Sequence, residues 1–349
     1  MKNMISYIKQ IMQIFAQQSS PSGFEENAVK IFKKEVECYV DEVHFDDQNN
    51  CIAHKRGTGK RIVIMAHADE IGLMITYIDN QGFLFFHEIG AIDTNILPGQ
   101  VVEILGINGD KVIGVIGKKT IHLQERDQCT KQLSSEDLWI DIGAKDKADA
   151  LSKVELGTCA TFKRNFYSLA DNVISSSGAD DKIGLAILVC LAKQMKNRKC
   201  REDIYYIASS QEELGSRGAK SIVDQIKPDV GIAVDVTHAT DYPTMCFAKF
   251  GEICLNKGAV LATGPNINKK VKNALMECAV QNDISYQIEP ISHPTGTDAN
   301  VMQTAICGVK TALISVPCRY MHTPREVISL KDAECVVKML EKYLSDWDK

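Results

Sequence analysis

The residues best equipped for chemistry in this chain are imidazoles and carboxylates standing just beyond apolar runs. His67-Ala68-Asp69-Glu70 follows the apolar run at 61–66, and Gln211-Glu212-Glu213 follows the run at 203–209. Asp235 ends the run at 229–234, and His322 lies shortly after the run at 311–316. A further pair, Asp180-Asp181, precedes the apolar stretch at 183–191. In open α/β sheets, side chains at the carboxyl ends of the strands share one crevice. Taken singly, each signal has an ordinary explanation. A lone histidine is usually a satisfied loop residue, adjacent glutamates a solvated turn, and a strand-end aspartate a cap or turn residue. Delivered together to one sheet edge, they form a metal-type set.

Imidazoles and carboxylates without thiolate suit zinc or another first-row divalent ion. One open catalytic zinc needs three protein ligands, so this larger set suits two ions sharing a carboxylate. Alternate spacing lets Asp69 point the same way as His67 and hold its ring. Of the Glu212-Glu213 pair, one carboxylate can ligate while its neighbour acts as a base. His293, Arg217 and Lys249 are candidates for substrate contact.

Elements must position these groups. Apolar residues Met4, Ile5, Ile8, Ile11, Met12 and Phe15 recur at helical spacing. Ser20-Pro21-Ser22-Gly23 breaks that helix, with Ser22 the expected cap of a second helix through Val29, Phe32 and Val36. The four apolar runs read as buried strands, alternating with helices near 181–196, 216–226, 268–282 and 331–345. This alternation argues for an α/β sandwich. Residues 72–164 read differently, with short strands, turn signals and no long helix, as an inserted β-rich unit. The expected division is a catalytic α/β domain at 1–71 plus 165–349, and an insertion at 72–164.

With 349 residues, 45% hydrophobic and 24% charged, the chain is an ordinary globular one, long enough for such a division. A net charge of −5 leaves no basic footprint for nucleic acid, and no apolar run is long enough to span a membrane. The N-terminal stretch reads as an amphipathic helix rather than a signal peptide. Twelve scattered cysteines with no CxxC read as reduced thiols, which points to the cytoplasm. Cys318, near His322, is the one thiol close to the candidate site.

Several segments together resemble the M42 family of metallo-aminopeptidases, the glutamyl and tetrahedral aminopeptidase group. They are His67-Ala-Asp69-Glu70-Ile-Gly, Asp180-Asp181-Lys182-Ile-Gly184, Gln211-Glu212-Glu213-Leu-Gly215-Ser-Arg217-Gly-Ala219, Thr295-Gly-Thr-Asp298-Ala, and Arg319-Tyr-Met-His322-Thr-Pro324-Arg-Glu326-Val. The likeness is ordered and runs from about residue 20 to 345. It implies a mixed-sheet α/β sandwich of the dinuclear-zinc peptidase type with an inserted small β-barrel-like domain. It also implies roles. His67 and Asp235 hold one metal, Glu213 and His322 the other, and Asp180 bridges both. Glu212 is the general base and Asp69 orients His67. The expected cofactors are two divalent ions per subunit, zinc first, with cobalt and manganese also suited. The expected substrates are peptides. The expected assembly is a homo-oligomer, a dodecamer in the pattern of the family, made through the insertion. Lys182 stands where arginine is common, and Ser177, Ala179 and Asn300 also depart from the pattern; no ligand position is lost.

Three alternatives stay open on the sequence. One is a dinuclear carboxypeptidase or deacylase of the related M20 type. The others are an endoglucanase-like glycoside hydrolase using paired carboxylates, and a non-catalytic binding protein.

Overall fold

The computed structural model describes residues 4–123, 133–170, 172–198, 200–306 and 308–345. Cys129 and Cys307 lie outside the described residues.

In chain order the elements begin with α1 (Met4–Ala16), α2 (Glu26–Val36), β1 (Glu42–Phe45), β2 (Cys51–Lys55) and β3 (Arg61–His67). The insertion follows as β4 (Gly72–Ile78), β5 (Leu84–Ile89), β6 (Val101–Leu105), β7 (Lys111–Lys118), β8 (Leu138–Asp141), α3 (Lys147–Leu151) and β9 (Cys159–Phe162). The chain then continues through β10 (Phe166–Ala170), β11 (Val173–Ser176), α4 (Ala179–Met195), β12 (Asp203–Ser209), α5 (Arg217–Ile226) and β13 (Val230–His238). Last come α6 (Phe247–Phe250), β14 (Ala259–Thr263), α7 (Lys269–Gln281), β15 (Tyr286–Pro290), α8 (Asp298–Gln303), β16 (Lys310–Arg319), β17 (Glu326–Ser329) and α9 (Leu330–Ser345).

One mixed sheet runs β1-β2-β12-β3-β13-β16-β17-β11-β10, with β14 and β15 attached beside β16. Its centre is parallel: β12, β3, β13 and β16 pair in the same direction. Strand periodicity splits their side chains between two helical layers. Ile62, Ile64 and Ala66 of β3 join the core under α1, α4 and α9, while Val63 and Met65 join the core under α5 and α8. The expected α/β sandwich is therefore the observed one, and its four apolar runs are these central strands.

Helix α4 is apolar around nearly its whole circumference, and Ile183 through Ala192 are all buried. A helix of that composition belongs inside a protein rather than at its surface. Burying each of its large aliphatic side chains contributes roughly 1.5–3 kcal/mol. The acidic start of α4 is thus set on a rigid base.

The insertion is a closed barrel, β4-β5-β8-β7-β6-β9, with its own core of Leu73, Ile75, Leu84, Phe86, Val102, Ile104 and Ile140. Closure leaves its strands without free edges.

One local expectation fails. Ser22 does not cap α2, because its hydroxyl is buried without a hydrogen-bond partner among the described residues. The loop is organised by Glu25, whose carboxylate accepts the Gly23 N–H at 2.6 Å and the Gln211 N–H at 3.0 Å. A carboxylate reaching two loops displaces the local Ser cap.

Candidate active site

Four elements with a shared direction deliver the site. His67 closes β3, Glu212 and Glu213 follow β12, and His322 follows β16. Asp235 is inside β13, which runs four residues further than the apolar pattern indicates. Asp180 comes from the first turn of α4, where its backbone has not yet become helical. That turn starts at Gly178, whose φ is +59°, and a Cβ there would lie 2.5 Å from Glu70 Oε2. Only glycine meets both conditions easily.

The side chains meet in two groups of ligand atoms, each group lying within 4.8 Å: His67 with Asp180 and Asp235, and Asp180 with Glu213 and His322. Asp180 belongs to both. Its Oδ1 is 2.9 Å from His67 Nε2, and its Oδ2 is 3.3 Å from His322 Nε2. Asp235 Oδ1 is 3.8 Å from His67 Nε2, and Glu213 Oε1 is 3.5 Å from His322 Nε2. Asp181 faces elsewhere; its Oδ1 accepts the Gly184 N–H at 3.0 Å.

Each imidazole is aimed by its other nitrogen, as metal-ligating histidines usually are. His322 Nδ1 is 2.8 Å from the Ala91 carbonyl, which comes from the loop after β5 of the barrel. His67 Nδ1 is 3.1 Å from the Asp69 carbonyl and 3.4 Å from the Asp69 carboxylate. The better bonds of that carboxylate go elsewhere, since it accepts the Glu212 and Glu213 N–H groups, both at 3.0 Å. Asp69 therefore fixes the Glu212-Glu213 turn as well as standing behind His67.

Glu212 is in neither ligand group but lines the same cleft, a space of about 710 Å³. It accepts the Ser216 hydroxyl at 3.2 Å. Burial raises its pKa to about 10, with the carboxylates of Asp298, Asp235 and Asp69 adding to the rise against the opposing His67. Burial also lifts Glu213 to about 7 and holds Asp235 well above its usual range. His322 moves the other way, up to about 9. Burial alone would lower it, but the Asp180 hydrogen bond and the charge of Glu213 prevail.

These shifts share one origin. Asp180, Glu212, Glu213 and Asp235 are packed together with two imidazoles as their nearest counter-charges. Buried carboxylates in such excess need further positive charge. Imidazole and carboxylate donors with a shared aspartate suit divalent cations, so the residues fit a pair of metal ions.

A model of the M42 glutamyl aminopeptidase family matches residues 49–339. The chain belongs to this family. Like other M42 members it is a peptide-bond hydrolase of the aminopeptidase class. It is 34% identical over 343 residues to the lysyl aminopeptidase of Pyrococcus furiosus, covering 97% of this chain and 96% of that one. An aminopeptidase from the archaeon Desulfurococcus kamchatkensis superposes with a TM-score of 0.90 at 31% identity, over 98% of this chain and 94% of that one. The Pyrococcus horikoshii TET1 peptidase, described as assembling into a tetrahedron or a large octahedral shell, gives a TM-score of 0.87 at 31% identity. That match covers 97% of this chain and 99% of the other.

His293 lines the cleft, whereas Arg217 and Lys249 are not among its lining residues. Arg217 starts α5 and donates to the Leu214 carbonyl, and Lys249 lies on α6 over the Phe250 ring. Cys318 is buried, and burial pushes its thiol well above the usual value, so it stays protonated and inert. Glu326 carried no role in the sequence reading. Its buried carboxylate accepts the N–H groups of Asp180 at 3.1 Å and His322 at 2.9 Å. It thereby fixes the shared Asp180 and His322 of the second ligand group. Its place in the His322-Thr-Pro-Arg-Glu326 segment is the only signal the sequence offers.

Proposed function

We propose that the chain removes N-terminal residues from peptides at a two-metal site. The shared position of Asp180 carries this reading, since one carboxylate stands in both ligand groups while Glu212 stands free of them in the same cleft. His67 and Asp235 would hold one ion, Glu213 and His322 the other, and Asp180 both. Zinc suits the donors best, and cobalt and manganese are also compatible. Bound there, the ions supply Lewis acidity to a scissile carbonyl and lower the pKa of water beside it. Glu212 is the proton carrier of the reaction: one carboxylate oxygen accepts a proton from the attacking water and later returns it to the leaving amine. Asp69 keeps that carboxylate in place through the two backbone N–H groups it accepts. The free α-amino group of the substrate would meet a metal or one of the site's carboxylates, which confines cleavage to the N-terminus.

The segments 1–71 and 165–349 would form the catalytic domain and 72–164 an assembly domain. The barrel supports this with exposed apolar side chains at Leu105, Ile113, Val115 and Leu156. Where such side chains gather in one patch, they mark an interaction surface. A homo-oligomer is the reading, a dodecamer in keeping with the TET1 likeness, and native mass measures it. The described cysteines are all free thiols, which supports a reducing, cytoplasmic setting. Among the described residues, no helix is long and apolar enough to cross a membrane.

The test is a pair of matched peptide sets, one with free and one with acetylated N-termini. Stepwise release of residues from the free set, with the acetylated set untouched, is expected. Deacylation of N-acyl amino acids in preference to both sets would move the reading to the M20-type alternative.

A further inference from the structure

Beyond the metal cluster, the cleft holds one more carboxylate. Glu289 lies on β15, the strand that closes the β14–β15 edge of the sheet, and it lines the same space as His67, Asp180 and Glu212. Thr237 fastens it. That residue is two positions past Asp235 on β13, so the two side chains share a face. The Thr237 hydroxyl donates to Glu289 Oε1 at 2.7 Å. The other oxygen, Oε2, is buried and has no hydrogen-bond partner among the described residues.

An unpartnered buried carboxylate oxygen is costly, and such a group calls for a functional explanation or a bound water or ion. The charge on offer nearby is slight. His238 is the imidazole that acts on Glu289, and it is exposed. The described residues lining the cleft include neither lysine nor arginine. Asp180, Glu213 and Asp235 are taken by ligation and Glu212 by proton transfer, which leaves Glu289 as the acid without a task.

We propose that Glu289 selects peptides whose N-terminal residue carries a cationic side chain, lysine or arginine. This rests on the aminopeptidase reading above and adds the substrate class to it. The ammonium or guanidinium donates to Oε2, while Thr237 keeps Oε1 and so holds the carboxylate in one orientation. Charge-assisted bonds of this kind are short and strong. An N-terminal glutamate or aspartate would instead face Glu289 with no lysine or arginine among the described lining residues to balance it. Burial raises the Glu289 pKa, and a cationic partner opposes that rise, so the carboxylate and the substrate cation stabilise each other's charge.

The test compares kcat/KM of the metal-loaded enzyme on lysyl-, arginyl-, norleucyl- and glutamyl-p-nitroanilide. Norleucine matches the lysine stem without its charge. The wild type is expected to favour lysyl over norleucyl. In Glu289→Gln the lysyl-to-norleucyl ratio is expected to fall by about 10- to 100-fold, the range for one hydrogen bond to a charged group. Because a ratio is read, partial misfolding of the variant does not mimic the effect. Glu289→Lys is expected to turn the preference toward glutamyl. An unmoved ratio in Glu289→Gln overturns the proposal. So does a wild type that hydrolyses norleucyl without preferring lysyl, although the aminopeptidase reading then survives. A wild type that hydrolyses none of the four removes both.

Discussion

At the scale of the residue, the site divides into groups that were legible in the sequence and groups that were not. His67, Asp180, Glu212, Glu213, Asp235 and His322 each stand beside an apolar run, so their neighbours announce them. Glu25 and Glu326 act only through backbone N–H groups that folding brings to them. Glu25 reaches Gln211, 186 residues away, and no local pattern encodes such a bond. Glu289 is similarly silent, because its importance lies in an oxygen left without a partner. The role of Glu212 makes a prediction at this scale. Glu212→Gln keeps the side chain's shape and leaves both ligand groups intact. It is expected to bind metal as the wild type does while kcat falls by about 10²- to 10⁴-fold, the usual contribution of a positioned acid–base group. Near-normal turnover in this variant would take the proton-carrying role away from Glu212.

At the scale of the element, the long central strands and helices were readable, and the short peripheral strands were not. Strands β2, β11 and β17 have four or five residues each, too few for a clear period. Their pairing with already formed neighbours makes them strands. Contacts between elements were hidden as well. Glu70 follows β3, Arg164 lies between β9 and β10, and Lys182 is on α4. Glu70 is 2.8 Å from both Arg164 Nη1 and Lys182 Nζ, and all three side chains are buried. Lys182 also donates to the Gln18 carbonyl at 2.7 Å, so the cluster ties α1, the barrel exit and the Asp180 turn together. This explains what the departure to lysine at 182 does: it fills a buried site between Glu70 and a carbonyl.

That cluster has a pH signature. Burial alone would raise the Glu70 carboxyl, but Arg164 and Lys182 bring it down from 4.5 to about 2. A carboxylate lowered by folding stabilises the native state above its unfolded pKa and loses that effect as pH falls toward the folded one. Glu70→Gln is expected to cost about 3–5 kcal/mol near pH 7, because two buried cations lose their partner. The gap between wild type and variant should narrow by up to about 3 kcal/mol between pH 4.5 and 2. Urea unfolding of both proteins across that range measures it, and a gap that does not change with pH would show that Glu70 is not held ionised by its neighbours.

At the scale of the whole molecule, the division into a three-layer α/β unit and a barrel follows from a change in pattern near residue 72 and its reversal near 164. The barrel is not remote from the chemistry. Its Ala91 carbonyl aims the His322 ring, and Arg164 at its exit pairs with Glu70 beside the Asp180 turn. The insertion therefore helps to shape the site. The central claim concerns the double cluster, and a metal titration tests it most directly. The chain is stripped with a chelator and titrated with Zn²⁺, while bound metal per chain and hydrolysis of an aminoacyl-p-nitroanilide are followed together. Two ions per chain are expected, with full activity reached only as the second is taken up. A plateau at one ion per chain, or full hydrolysis by the stripped protein, would contradict the two-metal site.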